Sequence, residues 1–327
     1  MEQPSLRNIA AIIRDELVGD SAEPLTVRGP IYTLEYSDIY RAECGRFGFP
    51  LAVKVCKDPA TGQTDQATAK NQFLALDRVG SRMTSTDYGV PRTVALIEDQ
   101  AIIITEWVYG DNLTRILYRR RSSSATALDL LRRAGIWLRL FHSSNPLRPG
   151  RLDVSEKIAS IREAHKRGDV RSGIVSQAVA LLEASAERAG AGTLRRSWIH
   201  GDYKTDNLLV EGRRLVGLDV HVIHESAVHY DVAAFLNRLQ LTLLHPKAWR
   251  LLPYRPSFEE GFVSESLQLE ADNTVLPLGW IRLYMMLCSW MNQQTRETNW
   301  MQRHYMELCF RRLTRQLMRD LARLWSV

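Results

Sequence analysis

Short β-type patterns and two amphipathic helices alternate over the first part of the chain. Apolar residues recur every three to four positions over residues 5–17 and again over residues 67–79, which predicts a helix at each place. Short runs that alternate or are rich in β-branched residues predict strands. These predicted strands cover residues 39–43, 50–56, 94–98 and 101–107. The last two form a hairpin across Asp99-Gln100.

Helical periodicity dominates the chain after Asp111. The predicted helices cover residues 126–143, 154–166, 174–189, 231–244, 278–293 and 298–325. One short β-hairpin interrupts them, with strands at residues 207–210 and 214–220. We therefore expect an α+β protein with a small β-rich N-terminal lobe over residues 1–108 and a larger, mostly helical C-terminal lobe over residues 109–327.

Composition and charge fit a globular protein that meets small or anionic partners. The chain has 327 residues, of which 45% are hydrophobic and 24% charged, enough apolar material for a large core. The formal charge is +6, but no basic run is interleaved with aromatic residues, so we expect no nucleic-acid partner. The charged N-terminus, the lack of a membrane-length apolar stretch and four cysteines without a C-x-x-C pair favour a cytoplasmic location.

Residues 199–220, IHGDYKTDNLLVEGRRLVGLDV, carry the candidate chemistry. Asp202 and Asn207 lie five residues apart on a loop that enters a strand, and Asp219 lies on the returning strand. Antiparallel pairing brings Asn207 and Asp219 to the same end of the hairpin, where their oxygen atoms suit Mg²⁺ with bound phosphates. Asp202 is then expected to face an acceptor hydroxyl, and Lys204 to neutralise charge on a phosphoryl group.

This pattern resembles the aminoglycoside phosphotransferase and choline kinase superfamily, which shares the protein-kinase fold. The matching positions are Lys54, His200, Gly201, Asp202, Asn207, Asp219 and the Tyr230-Asp231-Val232-Ala233 segment. The resemblance runs from about residue 25 to residue 239. It implies a two-lobed protein-kinase-like fold and transfer of the γ-phosphate of ATP, held through Mg²⁺, to a small-molecule hydroxyl. GTP is an open alternative to ATP.

The resemblance also implies a role for each matching residue. Asn207 and Asp219 would bind Mg²⁺, and Lys54 would hold the phosphates that are not transferred. Asp202 would orient the acceptor hydroxyl and take its proton, and loss of its carboxylate should cost about 10²–10⁴-fold in rate. His200 would support the loop without transferring a proton. The residues at the expected adenine-contacting hinge are Glu106, Trp107 and Val108.

Two positions depart from the family pattern. The stretch expected to cover the phosphates, residues 30–40, contains no glycine, so Ser37 is the candidate polar contact there. The helix after the Lys54 strand offers Gln72 where the family usually has a glutamate, and a glutamine supplies a hydrogen bond but no charge. These departures motivate a second hypothesis, a catalytically impaired kinase fold that binds or regulates.

A third hypothesis is an atypical protein kinase. Only eleven residues separate Asp219 from Asp231, which leaves no room for the usual activation loop, and no A-P-E motif follows. The small-molecule kinase is therefore the preferred hypothesis. Its acceptor and its oligomeric state are both open.

Basic and aromatic residues near the C-terminus bear on the acceptor and on partners. The arginines of the last predicted helix are Arg303, Arg311, Arg312, Arg315, Arg319 and Arg323. This charge argues against a polycationic aminoglycoside and for a sugar, an amino alcohol or a glycolipid-like acceptor, and it permits peripheral membrane contact. We expect most of Trp290, Trp300 and Trp325 to pack in the core, and we expect local hydrogen bonding, not metal binding, for His221, His224 and His229.

Overall fold

The chain forms two compact units. The computed structural model describes residues 6–19, 23–166, 173–220, 224–268, 275–294 and 299–326. The units are Met1–Asp111 with Asn207–Ile223, and Asn112–Asp206 with His224–Val327. The hairpin after the candidate catalytic loop therefore belongs to the first unit, although it lies far along the chain.

The first unit is built on a five-stranded antiparallel sheet. Its helices are α1 (Leu6–Leu17) and α2 (Gln66–Gly80). Its strands, numbered along the whole chain, are β1 (Leu25–Thr33), β2 (Ser37–Cys44), β3 (Leu51–Cys56), β4 (Tyr88–Gly89), β5 (Thr93–Ile97), β6 (Ile102–Glu106), β10 (Leu208–Glu211) and β11 (Arg214–Gly217). A two-residue strand, β7 (Asp111–Asn112), begins at the last residue of this unit's first segment. The main sheet has the order β1–β2–β3–β6–β5, and a smaller sheet has the order β4–β11–β10–β7.

Alternation along β3 divides its side chains between two faces of the sheet. Leu51 and Val53 are buried in one core cluster with Ile9 and Ile13 of α1. Because successive side chains of a strand point to opposite faces, Lys54 lies on the face away from this cluster. The apolar residues of β3 therefore pack in the core, and Lys54 lies on the opposite face of the sheet.

The second unit is mostly helical. Its helices are α3 (Leu113–Tyr118), α4 (Ser124–Ser143), α5 (Val154–Lys166), α6 (Gly173–Ala191), α7 (His229–Leu244), α8 (Arg255–Leu267), α9 (Val275–Gln294) and α10 (Trp300–Ser326). Helices α4 and α8 approach so closely that a Cβ on Gly135 would lie 2.5 Å from the carbonyl oxygen of Phe262. A side chain at this position would push the two helices apart.

A three-stranded antiparallel sheet interrupts these helices. Its strands are β8 (Arg148–Gly150), β9 (Leu194–Ile199) and β12 (His224–Ala227), in the order β12–β9–β8. The expectation that only one β-hairpin interrupts the helices after residue 111 is therefore wrong. Helix α8 was also missed, since it is not among the predicted helices. The α+β class is confirmed, since a β-sheet unit accompanies a larger helical one.

The last two helices differ from the expected packing of their tryptophans. Trp290 of α9 is buried and donates its indole N–H to Glu307 at 2.7 Å. Trp300 and Trp325 are exposed, so the expectation that most of the three pack in the core is wrong. No helix in the described ranges is both long enough and apolar enough to span a membrane.

Candidate active site

Lys54 of β3 and Asp219, just after β11, form an ion pair in the first unit. Lys54 Nζ lies 2.9 Å from Asp219 Oδ1. The side chain of Asp219 is 38% exposed, so the pair remains open to a ligand. Asp219 also has a φ of 56°, in the left-handed region that non-glycine residues rarely adopt outside turns and functional sites.

The β10–β11 hairpin brings Asn207 close to Asp219. Leu208 pairs with Gly217, and one residue further out the Leu218 amide donates to the Asn207 carbonyl oxygen at 2.8 Å. Asn207 is buried at the end of a short 3-10 turn. An amide-bearing residue and a carboxylate-bearing residue therefore meet at the same end of the hairpin.

The residues expected to contact adenine, Glu106, Trp107 and Val108, lie at and directly after the end of β6. The buried Glu106 carboxylate lies 2.5 Å from Arg214 Nη1, and Arg214 begins β11, the strand that Asp219 follows. The Trp107 amide donates to the Pro50 carbonyl oxygen at 2.8 Å. The end of β6 is thus held on one side by the residue that precedes β3 and on the other by the β10–β11 hairpin.

Ser37 and Gln72 are both buried. Ser37 begins β2, where its carbonyl oxygen accepts a hydrogen bond from the Leu34 amide at 2.8 Å. Gln72 Oε1 accepts from the Cys56 thiol, with the sulfur 3.9 Å away. Within the described part of the chain no hydrogen bond joins Gln72 to Lys54, so α2 does not hold the lysine.

In the second unit, a buried carboxylate holds the loop that follows β9. Asp231 of α7 accepts hydrogen bonds from the backbone amides of His200 at 2.7 Å and Gly201 at 2.9 Å, and lies 3.0 Å from His142 Nε2. Burial raises the pKa of Asp231, but the hydrogen bond and charge of His142, together with His200, outweigh it and hold that pKa below its ordinary value. The charged carboxylate therefore fixes two consecutive amides just before Asp202.

Aromatic packing fixes the same loop on the other side of Asp202. Tyr203 is fully buried, its hydroxyl donates to the Ala134 carbonyl oxygen at 2.7 Å, and its ring stacks on Trp137. The Asp202 side chain is 48% exposed and lies 2.5 Å from Lys204 Nζ. Asp202 and Lys204 thus reach outward from a loop whose neighbouring residues are anchored.

A cavity of about 400 Å³ lies beside this loop in the second unit and is lined by Gly201. Its lining carries both signs of charge, from the cations Arg151, Lys157 and Arg196 and the carboxylates Asp153, Glu156 and Asp231. Tyr230 also lines it, and burial, followed by the charges of Asp153 and Glu156, raises the pKa of Tyr230 to about 12. Its hydroxyl therefore stays protonated at neutral pH and is able to donate a hydrogen bond.

The histidines near α7 lie in different surroundings. His229 is buried, and neither of its ring nitrogens has a hydrogen-bond partner among the described residues, so the expected local hydrogen bonding is wrong there. Burial, with the charges of Arg195 and His142, lowers its pKa to about 4. His224 is exposed, and His221 lies outside the described residues. Over the ranges that the structure describes, no three His, Cys, Asp or Glu side chains are grouped so as to hold a metal ion.

The sequence profile of the phosphotransferase enzyme family matches residues 40–242, which is more than half of the chain. The chain belongs to the phosphotransferase enzyme family. The resemblance to the aminoglycoside phosphotransferase and choline kinase superfamily is thereby confirmed. No curated protein matches this phosphotransferase by sequence.

Solved structures confirm the protein-kinase-like fold of this phosphotransferase. A choline/ethanolamine kinase family protein from Mesorhizobium loti is similar with a TM-score of 0.65 at 14% identity, over 98% of each chain. A glucosamine kinase in complex with glucosamine, ADP and inorganic phosphate gives 0.60 at 14%, over 98% of this chain and 88% of the other. An amicoumacin kinase in complex with AMP-PNP and Ca²⁺ gives 0.58 at 13%, over 87% of each.

The side chains at the hairpin end have the chemistry that a phosphotransferase needs for a divalent cation. The Asn207 amide and the Asp219 carboxylate supply hard oxygen atoms, the donors that Mg²⁺ prefers. Lys54, 2.9 Å from Asp219, adds a positive charge next to these donors. The residues of the first unit therefore fit a cation that carries phosphate groups.

Sequence reasoning missed the network around Asp231 in this phosphotransferase. From the sequence, Asp231 is given only as part of a family segment, and His142 is assigned no role. The signal that could have pointed to Asp231 is its single carboxylate at the start of the otherwise apolar run DVAAFL, residues 231–236. Such a carboxylate is tolerated in a core only when hydrogen-bond donors surround it.

Proposed function

We propose that this phosphotransferase uses Mg²⁺ and ATP to phosphorylate a hydroxyl group of a small molecule. The observation that carries the proposal is the 2.9 Å contact between Lys54 and Asp219, with Asn207 at the same end of the hairpin. The similar folds bound to ADP or to AMP-PNP with Ca²⁺ support a nucleotide and a divalent cation here as well. Trp107 and Val108 follow β6 at the proposed adenine contact.

Each side chain then has one task. Lys54 would bind the phosphates that stay on the nucleotide, and Asn207 with Asp219 would hold Mg²⁺, which when bound offsets negative charge on the phosphate oxygens. Asp202 would orient the acceptor hydroxyl and accept its proton late in the transfer. Lys204, which lies 2.5 Å from Asp202, would neutralise charge on the phosphoryl group in transit.

The cavity beside the catalytic loop is the proposed acceptor site. Its three cationic and three anionic side chains, together with the Tyr230 hydroxyl, offer both donors and acceptors of hydrogen bonds. This lining suits a sugar, an amino alcohol or a glycolipid-like compound better than a polycationic aminoglycoside, because its three cationic side chains balance its three carboxylates and would repel a polycation. We propose the cytoplasm as the location, since ATP is supplied there.

A metabolite extract incubated with the protein, Mg²⁺ and ATP tests the proposal. Mass spectrometry should detect a phosphorylated product that disappears with Asp202→Ala, while calorimetry shows that the variant still binds nucleotide. Asp129→Ala, which removes an exposed carboxylate from α4 of the same unit, is the matched control and should leave turnover intact. GTP in place of ATP in the same assay identifies the preferred donor.

A catalytically impaired, nucleotide-binding protein is the second candidate function. The observation that favours it is Gln72, which faces the Cys56 thiol and leaves Lys54 without a partner from α2. In that case nucleotide would bind without turnover on any acceptor, and Asp202→Ala would change nothing. Transfer of phosphate to a generic protein would instead support the protein-kinase hypothesis.

A further inference from the structure

One long face of α10 is turned away from the protein core. Cys309, Phe310, Leu313 and Leu317 are buried and hold the helix to the second unit. The opposite side forms one wall of a groove of about 920 Å³, which Leu181 of α6 closes on the other side. The α10 residues along the groove are Leu308, Arg311, Arg312, Arg315, Met318, Arg319 and Ala322. Their spacing of one, three or four residues places them on one stripe of the helix, which we name the α10 face.

The charge of the α10 face is positive and largely uncompensated. Arg311 is paired with Glu307, with 2.7 Å between Nε and Oε1. Arg312, Arg315 and Arg319 are exposed and make no ion pair with another described residue. Three guanidinium groups within two turns of helix therefore face solvent without a carboxylate partner among the described residues.

Large apolar side chains extend the α10 face towards the start of the helix. Trp300 is 75% exposed, Met301 63% and Leu308 53%. Met301, Leu308, Arg312, Arg315 and Arg319 follow one another at intervals of seven, four, three and four residues, so they lie on the same side of α10. The exposed apolar residues and the unpaired arginines thus share one surface.

We propose that the α10 face binds the surface of an anionic lipid bilayer. Guanidinium groups form bidentate hydrogen bonds with phosphate groups, and tryptophan and methionine insert favourably at the level of the lipid head groups. An acidic peptide would satisfy the arginines in the groove, but it would leave Trp300 and Met301, beyond the groove, exposed. A bilayer covers the length from Trp300 to Ala322, roughly 33 Å at 1.5 Å per residue, in a single contact.

Vesicle sedimentation tests this proposal independently of catalysis. The full chain should sediment with vesicles of phosphatidylcholine and phosphatidylserine and remain in solution with phosphatidylcholine alone. Because each arginine near an anionic surface contributes about fivefold to partitioning, the triple variant Arg312→Gln/Arg315→Gln/Arg319→Gln should bind about 100-fold more weakly. Raised salt should weaken binding of the native protein in the same direction.

Arg28→Gln/Arg78→Gln/Arg82→Gln is the matched control, because it removes the same charge from the first unit and should bind like the native protein. Trp300→Ala/Met301→Ala keeps the charge and should also weaken binding, while circular dichroism confirms that each variant is folded. Equal binding by the α10 triple variant and the native protein would overturn the proposal. Binding to an acidic peptide but not to vesicles would also overturn it. Phosphotransferase activity in solution should be the same in the native protein and in all these variants.

Discussion

Replacement of Asp231 by asparagine is the most direct test of how the catalytic loop is positioned. The carboxylate is 1% exposed and its two oxygens contact three donors, the His200 amide, the Gly201 amide and His142 Nε2. Asparagine has nearly the same shape but only one acceptor oxygen. In either orientation of the amide group, its NH₂ faces at least one backbone N–H.

The magnitude follows from these contacts. A hydrogen bond to a charged group contributes about 1.5–3 kcal/mol, and a buried donor left without an acceptor costs about 1–3 kcal/mol. Asp231→Asn loses the charge from all three contacts and leaves one amide unpaired, so we expect the free energy of unfolding to fall by roughly 2–4 kcal/mol. Since the affected amides immediately precede Asp202, turnover should fall roughly 10–100-fold through misplacement of this carboxylate.

Urea unfolding followed by tryptophan fluorescence measures the first effect, because Trp137 stacks directly on Tyr203 of the loop. Glu183→Gln is the control, since it removes a carboxylate from a surface ion pair with Arg162 and should shift the midpoint far less. Nucleotide affinity should stay unchanged in Asp231→Asn, because Lys54 belongs to the first unit. An unfolding midpoint equal to that of the native protein would show that the carboxylate does not hold the loop.

Three further changes test separate parts of the structure. Gly135→Ala should destabilise the protein by about 1–3 kcal/mol, because its Cβ would lie 2.5 Å from the Phe262 carbonyl oxygen, whereas Gly173→Ala, with open space around it, should be nearly neutral in urea unfolding. Because burial lowers the pKa of His229 to about 4, below its unfolded value of about 6.5, the unfolded state binds a proton first as the pH falls. Stability should therefore drop by up to roughly 3 kcal/mol between pH 6.5 and pH 4, and a His229→Gln variant that keeps the full drop would contradict this. Lys54→Met should weaken nucleotide binding about tenfold or more in calorimetry, and unchanged affinity would remove the lysine from the proposed site.

Elements with strong periodic patterns were predictable from the sequence. The helix expected over residues 154–166 matches α5 at both ends, and the expected hairpin over residues 94–107 corresponds to β5 and β6. In each case burial of one face dictates the pattern, and the pattern is visible without tertiary information. The same reasoning places Lys54 on β3, because it is the one charge in an apolar strand.

Elements whose stability comes from distant partners were not predictable. β8 and β12 are three and four residues long, too short for an alternation to emerge, and they exist because both pair with β9. α8 lacks a clear apolar stripe, and its packing on α4 depends on the absence of a side chain at Gly135. Strand pairing and helix contact of this kind follow from the fold and not from local propensity.

In the candidate site, too, contacts between residues close in sequence were predictable and contacts between distant residues were not. The meeting of Asn207 and Asp219 was predictable because they flank the two strands of a hairpin with a short turn, so sequence spacing determines which residues meet. The link from His142 to Asp231 spans 89 positions, and no local pattern reports it. A carboxylate in an apolar helix indicates that hydrogen-bond donors must surround it, but only the three-dimensional structure shows which residues supply them.

The presence of Gln72, where the family usually has a glutamate, changes which side chain holds Lys54. Gln72 has no carboxylate, and its amide oxygen faces the Cys56 thiol instead of the lysine. The counter-charge of Lys54 is therefore Asp219, at 2.9 Å. Asp219 is also the proposed ligand for Mg²⁺, and a carboxylate shared between an ammonium group and a divalent cation binds each one less strongly than it would bind either alone. If Asp219 binds Mg²⁺ as proposed, the position of Lys54 and the affinity for the metal are linked through this one side chain. The contact with Asp219 thus supplies Lys54 with the carboxylate that position 72 lacks. Under the proposed function, both the lysine and the metal would depend on Asp219, which is held in a left-handed backbone conformation.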